Sequence, residues 1–163
     1  MSSDLVFPVQ AVLGFLTMSL LARWYLAPRL AGLPLVSALQ PLLALQTLRY
    51  VGLSFLAPAV VKPSLAQTFA VPAALGTTVA AVLALAAIAA LRARARLGIP
   101  LTWIATAVGL LDFVNAFVQA RSAAVVNDLG AAYYIPIFVV PAAVVAEVMT
   151  VGLLLQRREP AAG

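Results

Sequence analysis

Few residues in this chain have the chemistry to do work. Arg49, Asp112 and Glu147 stand inside long apolar stretches. A charged side chain at the centre of a bilayer costs about 2.5–3.5 kcal/mol on insertion scales, so charges placed there are expected to answer one another. One guanidinium facing two carboxyls leaves a surplus negative charge if all three ionise. One acid is therefore expected to hold a proton, with Asp112 as the ionised partner of Arg49 and Glu147 as the protonated one. Such a carboxyl suits proton-coupled movement, or the binding of a cation or polar headgroup. The competing reading is a buried pin that fixes which helices touch.

The polar neighbours of these three recur at helical spacing. Asp112, Asn115 and Gln119 stand at i, i+3 and i+7; Gln46 and Arg49 are three apart with Tyr50 alongside; Glu147 and Thr150 are three apart. Gln10, Gly14 and Thr17 form a similar stripe at i, i+4 and i+7. Residues so spaced share one helix face. The economical arrangement turns the stripes of four helices, the first, second, fourth and fifth, inward on one another. The third offers only Gly76, Thr77 and Thr78 near one end.

Much chemistry is excluded. The sequence has neither Cys nor His, which removes disulfides, Cys or His zinc sites, histidine-ligated haem and a histidine base. It also lacks a GxSxG elbow, an HExxH pair, a glycine-rich phosphate loop and an acidic cluster of the DxxxD kind. No cofactor and no metal are expected, and catalysis is disfavoured. Acid and base work by the two carboxyls and Arg49 on a lipid within the bilayer stands as a third reading. Tyr50, Phe113 and Phe117 offer rings to an apolar small molecule, although aromatics at this spacing more often pack.

The elements that must carry these residues follow from composition. The 163 residues are 64% hydrophobic and 9% charged, with mean hydropathy +1.09. A soluble domain is about a quarter charged, so the sequence predicts an all-α integral membrane protein. A crossing helix needs about 20 mostly apolar residues. Five stretches qualify, at 5–27, 37–61, 71–91, 100–120 and 133–156, and together they make a single transmembrane domain over 1–163. The first is expected to stay as a helix and not be cleaved as an export signal, because Asp4 and no basic residue precedes it. The alanine-rich run from 78 to 95 predicts close packing of the third helix. In the fifth, Pro141 deprives the Ile137 carbonyl of its helical donor and predicts a bend. FLAPAVV at 55–61 and FVVPAAV at 138–144 are alike, to a degree that chance produces in a chain rich in Val, Ala and Pro.

Basic residues set orientation, since Lys and Arg near helix ends are retained on the cytoplasmic side. Arg23, Arg29, Arg92, Arg94, Arg96, Arg157 and Arg158 fall on one set of alternate connections; Lys62 and Arg121 fall on the other. The expectation is an N-terminus outside and a C-terminus in the cytoplasm. The net charge of +5 is accounted for by these topogenic arginines, which argues against nucleic acid as a partner. Membrane lipids are the expected partners, with a second copy or another membrane protein as further candidates.

LRYVGLSFLAP at 48–58, LDFVNAF at 111–117 and GAAYYIPIFVVPAAVVAE at 130–147 resemble a group of small bacterial multi-helix membrane proteins of no known activity. The resemblance covers about half the chain. It implies an inner-membrane protein and carries no functional residues across. The reading that results is a small transporter or channel-like protein, proton-linked through the buried acids, set against a non-catalytic accessory or lipid-binding subunit.

Overall fold

The computed structural model describes residues 3–123 and 125–156. All regular structure among them is helical. Helix α1 covers Ser3–Leu21 and continues through a π turn, Ala22–Leu26, into a last turn, Ala27–Ala31. Helix α2 covers Leu35–Thr47 and runs on as a 3-10 helix over Leu48–Leu56. Helices α3 and α4 are Gln67–Arg92 and Gly98–Ala123. Helix α5, Val140–Gln156, is preceded by short 3-10 turns at Val125–Asp128 and Gly130–Tyr133 and by a π turn at Ile135–Val139. Four helices, Leu5–Ala31, Gln67–Arg92, Gly98–Arg121 and Gly130–Gln156, are long and apolar enough to cross a membrane.

The irregular turns have local causes. Proline lacks the N–H that the carbonyl four residues earlier needs. Pro28 deprives Trp24 and Pro141 deprives Ile137, and each deprived carbonyl lies inside one of the two π turns. The bend expected at Pro141 is thus a widened turn. In the second stretch, a continuous α-helix over 37–61 does not form. Pro58 leaves Ser54 without its usual donor, and Ala57 N–H takes that carbonyl at 3.1 Å instead. Ala57 is extended, at φ −93° and ψ 110°, as a residue before proline prefers.

The 3-10 winding of Leu48–Leu56 has a second cause in packing. Its buried residues are Arg49, Gly52 and Phe55, three apart, and 3-10 geometry eclipses residues at i and i+3. An α-helix would fan them by about 60° at each step. Nine residues of 3-10 helix is long for a form that rarely exceeds three or four.

Helix α3 is central. Ala70, Ala73, Ala74, Ala80, Ala81, Ala84 and Ala87 on it are all 3% exposed or less, which lets neighbouring backbones approach closely. At one end of the bundle, Leu39, Leu43, Ala84, Ala87, Leu91 and Leu154 pack together, and Leu30 joins Ala38, Leu42 and Ala146. Those contacts put the connections bearing Arg23, Arg29, Arg92, Arg94 and Arg96 at the same end; Arg157 and Arg158 lie outside the described residues. The opposite end is closed by the two connections there. Lys62 N–H donates to the Asp128 carbonyl at 3.0 Å, Ala131 N–H to the Val60 carbonyl at 2.8 Å, and the Ser64 hydroxyl to the Asp128 carboxylate at 2.8 Å. Gly130, at φ +55°, is where a Cβ would strike the Val60 carbonyl. Beneath this cap, Phe55, Leu65, Phe69, Val125, Leu129 and Ile135 share a core.

Candidate functional site

Arg49 is the second residue of the 3-10 segment, and helices α4 and α5 converge on it. One terminal nitrogen, Nη2, lies 2.6 Å from Asp112 Oδ2 on α4 and donates to the Gly109 carbonyl at 3.1 Å; the other, Nη1, is 3.4 Å from Glu147 Oε1 on α5. The guanidinium carbon stands 3.8 Å from the centre of the Phe113 ring, in cation–π contact. Arg49, Asp112 and Glu147 are 2%, 6% and 1% exposed. The ion trio expected from the sequence is therefore assembled, from helices 63 and 98 residues apart along the chain.

Two glycines make room for it. A Cβ on Gly109 would overlap the Glu147 carboxyl, and one on Gly76 would overlap the Asp112 carboxyl. Gly76, one of the three residues the sequence offers on α3, brings that helix up to the site, which the inward stripes were expected to form on the other four. Its missing side chain is its contribution, and only close approach gives such a position away. Gly52 does the same for the packing of the 3-10 helix, a turn beyond Arg49, where a Cβ would meet the Thr77 side chain.

The other predicted polar residues divide. Gln46 is buried and its amide donates to the Ala143 carbonyl at 2.9 Å, one helical turn before Glu147. Thr150 is fully buried but bonds to the Ala146 carbonyl of its own helix. Tyr50, 56% exposed, faces outward. Asn115 is exposed and Gln119 half-buried; they bond to each other at 2.7 Å and do not join Asp112. The spacing of seven residues placed all three on one stripe, but Asp112 lies at its edge, turned inward by Arg49. The ring of Phe113 is occupied by Arg49, and Phe117 is 64% exposed.

Helix α1 does not contribute to the cluster, which corrects the expectation of an inward stripe there. Gln10 accepts from the Tyr133 hydroxyl, Thr17 is exposed, and Gly14 abuts the Ile137 carbonyl so closely that a Cβ would overlap it. That carbonyl is the one Pro141 deprives of its donor. Along this contact runs a groove of about 190 Å³ lined by Gln10, Leu13, Gly14, Thr17, Met18, Ile137 and Phe138, with no charged residue.

The trio is enclosed: Arg49 Nε, Asp112 Oδ1, Glu147 Oε2 and the nearby Gln46 Oε1 are each buried out of reach of bulk solvent. Among the described residues, no group of three potential His, Cys, Asp or Glu ligands could hold a metal.

A family model described as a domain of unknown function (DUF8737) matches residues 6–155, a range that takes in every member of the cluster. No curated protein and no solved structure matches the chain.

Proposed function

We propose that this chain, which belongs to the DUF8737 family of unknown function, is a five-span membrane protein acting as a non-catalytic accessory or lipid-binding subunit, with the Arg49 cluster as its internal pin. Residues Leu35–Thr47 and Leu48–Leu56 together reach about 38 Å at α and 3-10 rises. That length suffices for a fifth crossing of a hydrocarbon layer about 30 Å thick. The arginine-bearing end then faces the cytoplasm, that of a bacterium as the resemblance of the three stretches implies, and the N-terminus lies outside.

The observation that carries the reading is the closure of the cluster. A pathway would bring water to the buried acids from at least one side, whereas their unpartnered oxygens are out of reach of solvent. Ions held this way fix which helices meet, and breaking one partner away is far costlier than the net value of the pair.

One observation favours a second reading, a small proton-linked transporter. The change from α to 3-10 winding falls at Leu48, next to Arg49, and a mid-helix stretch of this kind often marks a hinge. Rewinding it would carry Arg49 off its acids and open the site. The test is a flux and pH-response assay in liposomes that compares wild type with Glu147→Gln. The pin reading expects no proton-linked flux from either. Flux in the wild type that is lost in a folded Glu147→Gln would establish the transporter and end the pin. An enzyme needs a cleft lined by an acid and an arginine, and the α1 groove supplies neither.

A further inference from the structure

Asn115 and Gln119 stand apart from the assembled cluster, and their surroundings give them a use. On the outer face of α4, Leu111, Val114 and Val118 are 69%, 63% and 57% exposed, and Asn115 is exposed among them. Positions 111, 114, 115 and 118 make one stripe at i, i+3, i+4 and i+7. Asn115 is six residues before the end of the Gly98–Arg121 span, or about 9 Å inside it. Lipid tails offer an amide no partner at that depth.

The two amides satisfy each other incompletely. Gln119 Nε2 donates to Asn115 Oδ1 at 2.7 Å, which leaves the Asn115 amide hydrogens without an acceptor among the described residues and Gln119 Oε1 buried without a donor. Exchanging the amide orientations leaves the same count of unmet donors and acceptors.

We infer that this stripe is the interface with a second copy of the chain. The exposed Asn115 carboxamide is donor and acceptor at once, so it is complementary to itself. Two copies inserted in the same direction about a two-fold axis bring Asn115 against its counterpart, each amide nitrogen donating to the second lone pair of the other's Oδ1. Leu111, Val114 and Val118 supply the apolar contact on either side, at the spacing of a helix–helix seam. Interhelical carboxamide bonds of this type add to helix association in lipid. The proposal rests on the membrane-crossing reading but not on the role of the Arg49 cluster, which α4 presents on a different face.

The absence of cysteine makes the test direct, since any introduced thiol is unique. Val114→Cys is compared in liposomes, under copper-phenanthroline oxidation, with Val12→Cys on α1 and Leu75→Cys on α3, positions 58% and 56% exposed. Val114→Cys is expected to form disulfide dimers at least about fivefold faster than either control. Adding Asn115→Leu to it should cut that rate about fivefold, with Asn115→Gln retaining it. Helical circular dichroism and size-exclusion behaviour confirm that each variant is folded. Equal cross-linking at all three positions, or indifference to Asn115→Leu, would overturn the interface. Failure to enter liposomes would overturn the membrane reading instead, and flux results leave the interface untouched.

Discussion

On α1, Gln10, Gly14 and Thr17 follow one another at helical spacing and look out over the surface or across a shallow groove. On α2, α4 and α5, Gln46 with Arg49, Asp112, and Glu147 with Thr150 are spaced no better, yet all five are 6% exposed or less. Periodicity does not separate the two sets. The difference is that an ion in an apolar bundle has to find a counterion, whereas Thr17 and Gly14 have nothing comparable to lose. Formal charge selects which polar stripe turns inward, and neutral stripes go where packing leaves them.

That contrast can be broken by mutation. The largest effect is expected from Arg49→Leu, which leaves Asp112 and Glu147 buried without their cation and should cost about 3–5 kcal/mol of stability, read as a lowered unfolding midpoint in detergent. Replacing all three at once, with Arg49→Met, Asp112→Leu and Glu147→Leu, should recover most of the loss, because no ion is left unpaired. A triple variant as unstable as Arg49→Leu would mean that shape, not charge, holds the site together.

Gly109→Ala comes next. Its Cβ would overlap the Glu147 carboxyl, and overpacking of this kind costs about 1–3 kcal/mol, measurable by the same melt. Gly14→Ala probes the other region, where the Cβ meets the Ile137 carbonyl. Because α1 is mostly exposed and free to shift, a smaller loss is expected, about 1 kcal/mol, with increased proteolysis between α1 and α2 as the local signature. Thr17→Val should stay within about 0.5 kcal/mol, as exposed substitutions do. A Thr17→Val loss as large as that of Arg49→Leu would abolish the distinction between the two stripes.

The sequence makes some of this legible and hides the rest for physical reasons. Four of the five expected stretches appear as long apolar helices within a few residues, because hydropathy over about 20 residues is a strong signal. The second stretch does not, since its apolar run says nothing about winding; the period-3 placement of Arg49, Gly52 and Phe55 and the proline at 58 are the clues it carries. The Arg49, Asp112 and Glu147 association can be inferred because each would be costly alone. Gly76 is among the residues the third helix offers, but its role escapes such reasoning, because a residue with no side chain leaves no mark of the close approach it permits. Spacing alone sends Asn115 and Gln119 inward with Asp112. A stripe seven residues long spans enough of the helix surface that one edge faces the core while the other faces out.

The placement of α1 also sets an order of events during biosynthesis. Its main body, Ser3–Leu21, packs chiefly on α5 and the π turn before it, segments that lie beyond α2, α3 and α4 along the chain. Synthesis runs from N- to C-terminus, so those three helices are made between α1 and its neighbour. The contact of Gly14 with the Ile137 carbonyl therefore cannot form until α2, α3 and α4 have been synthesised.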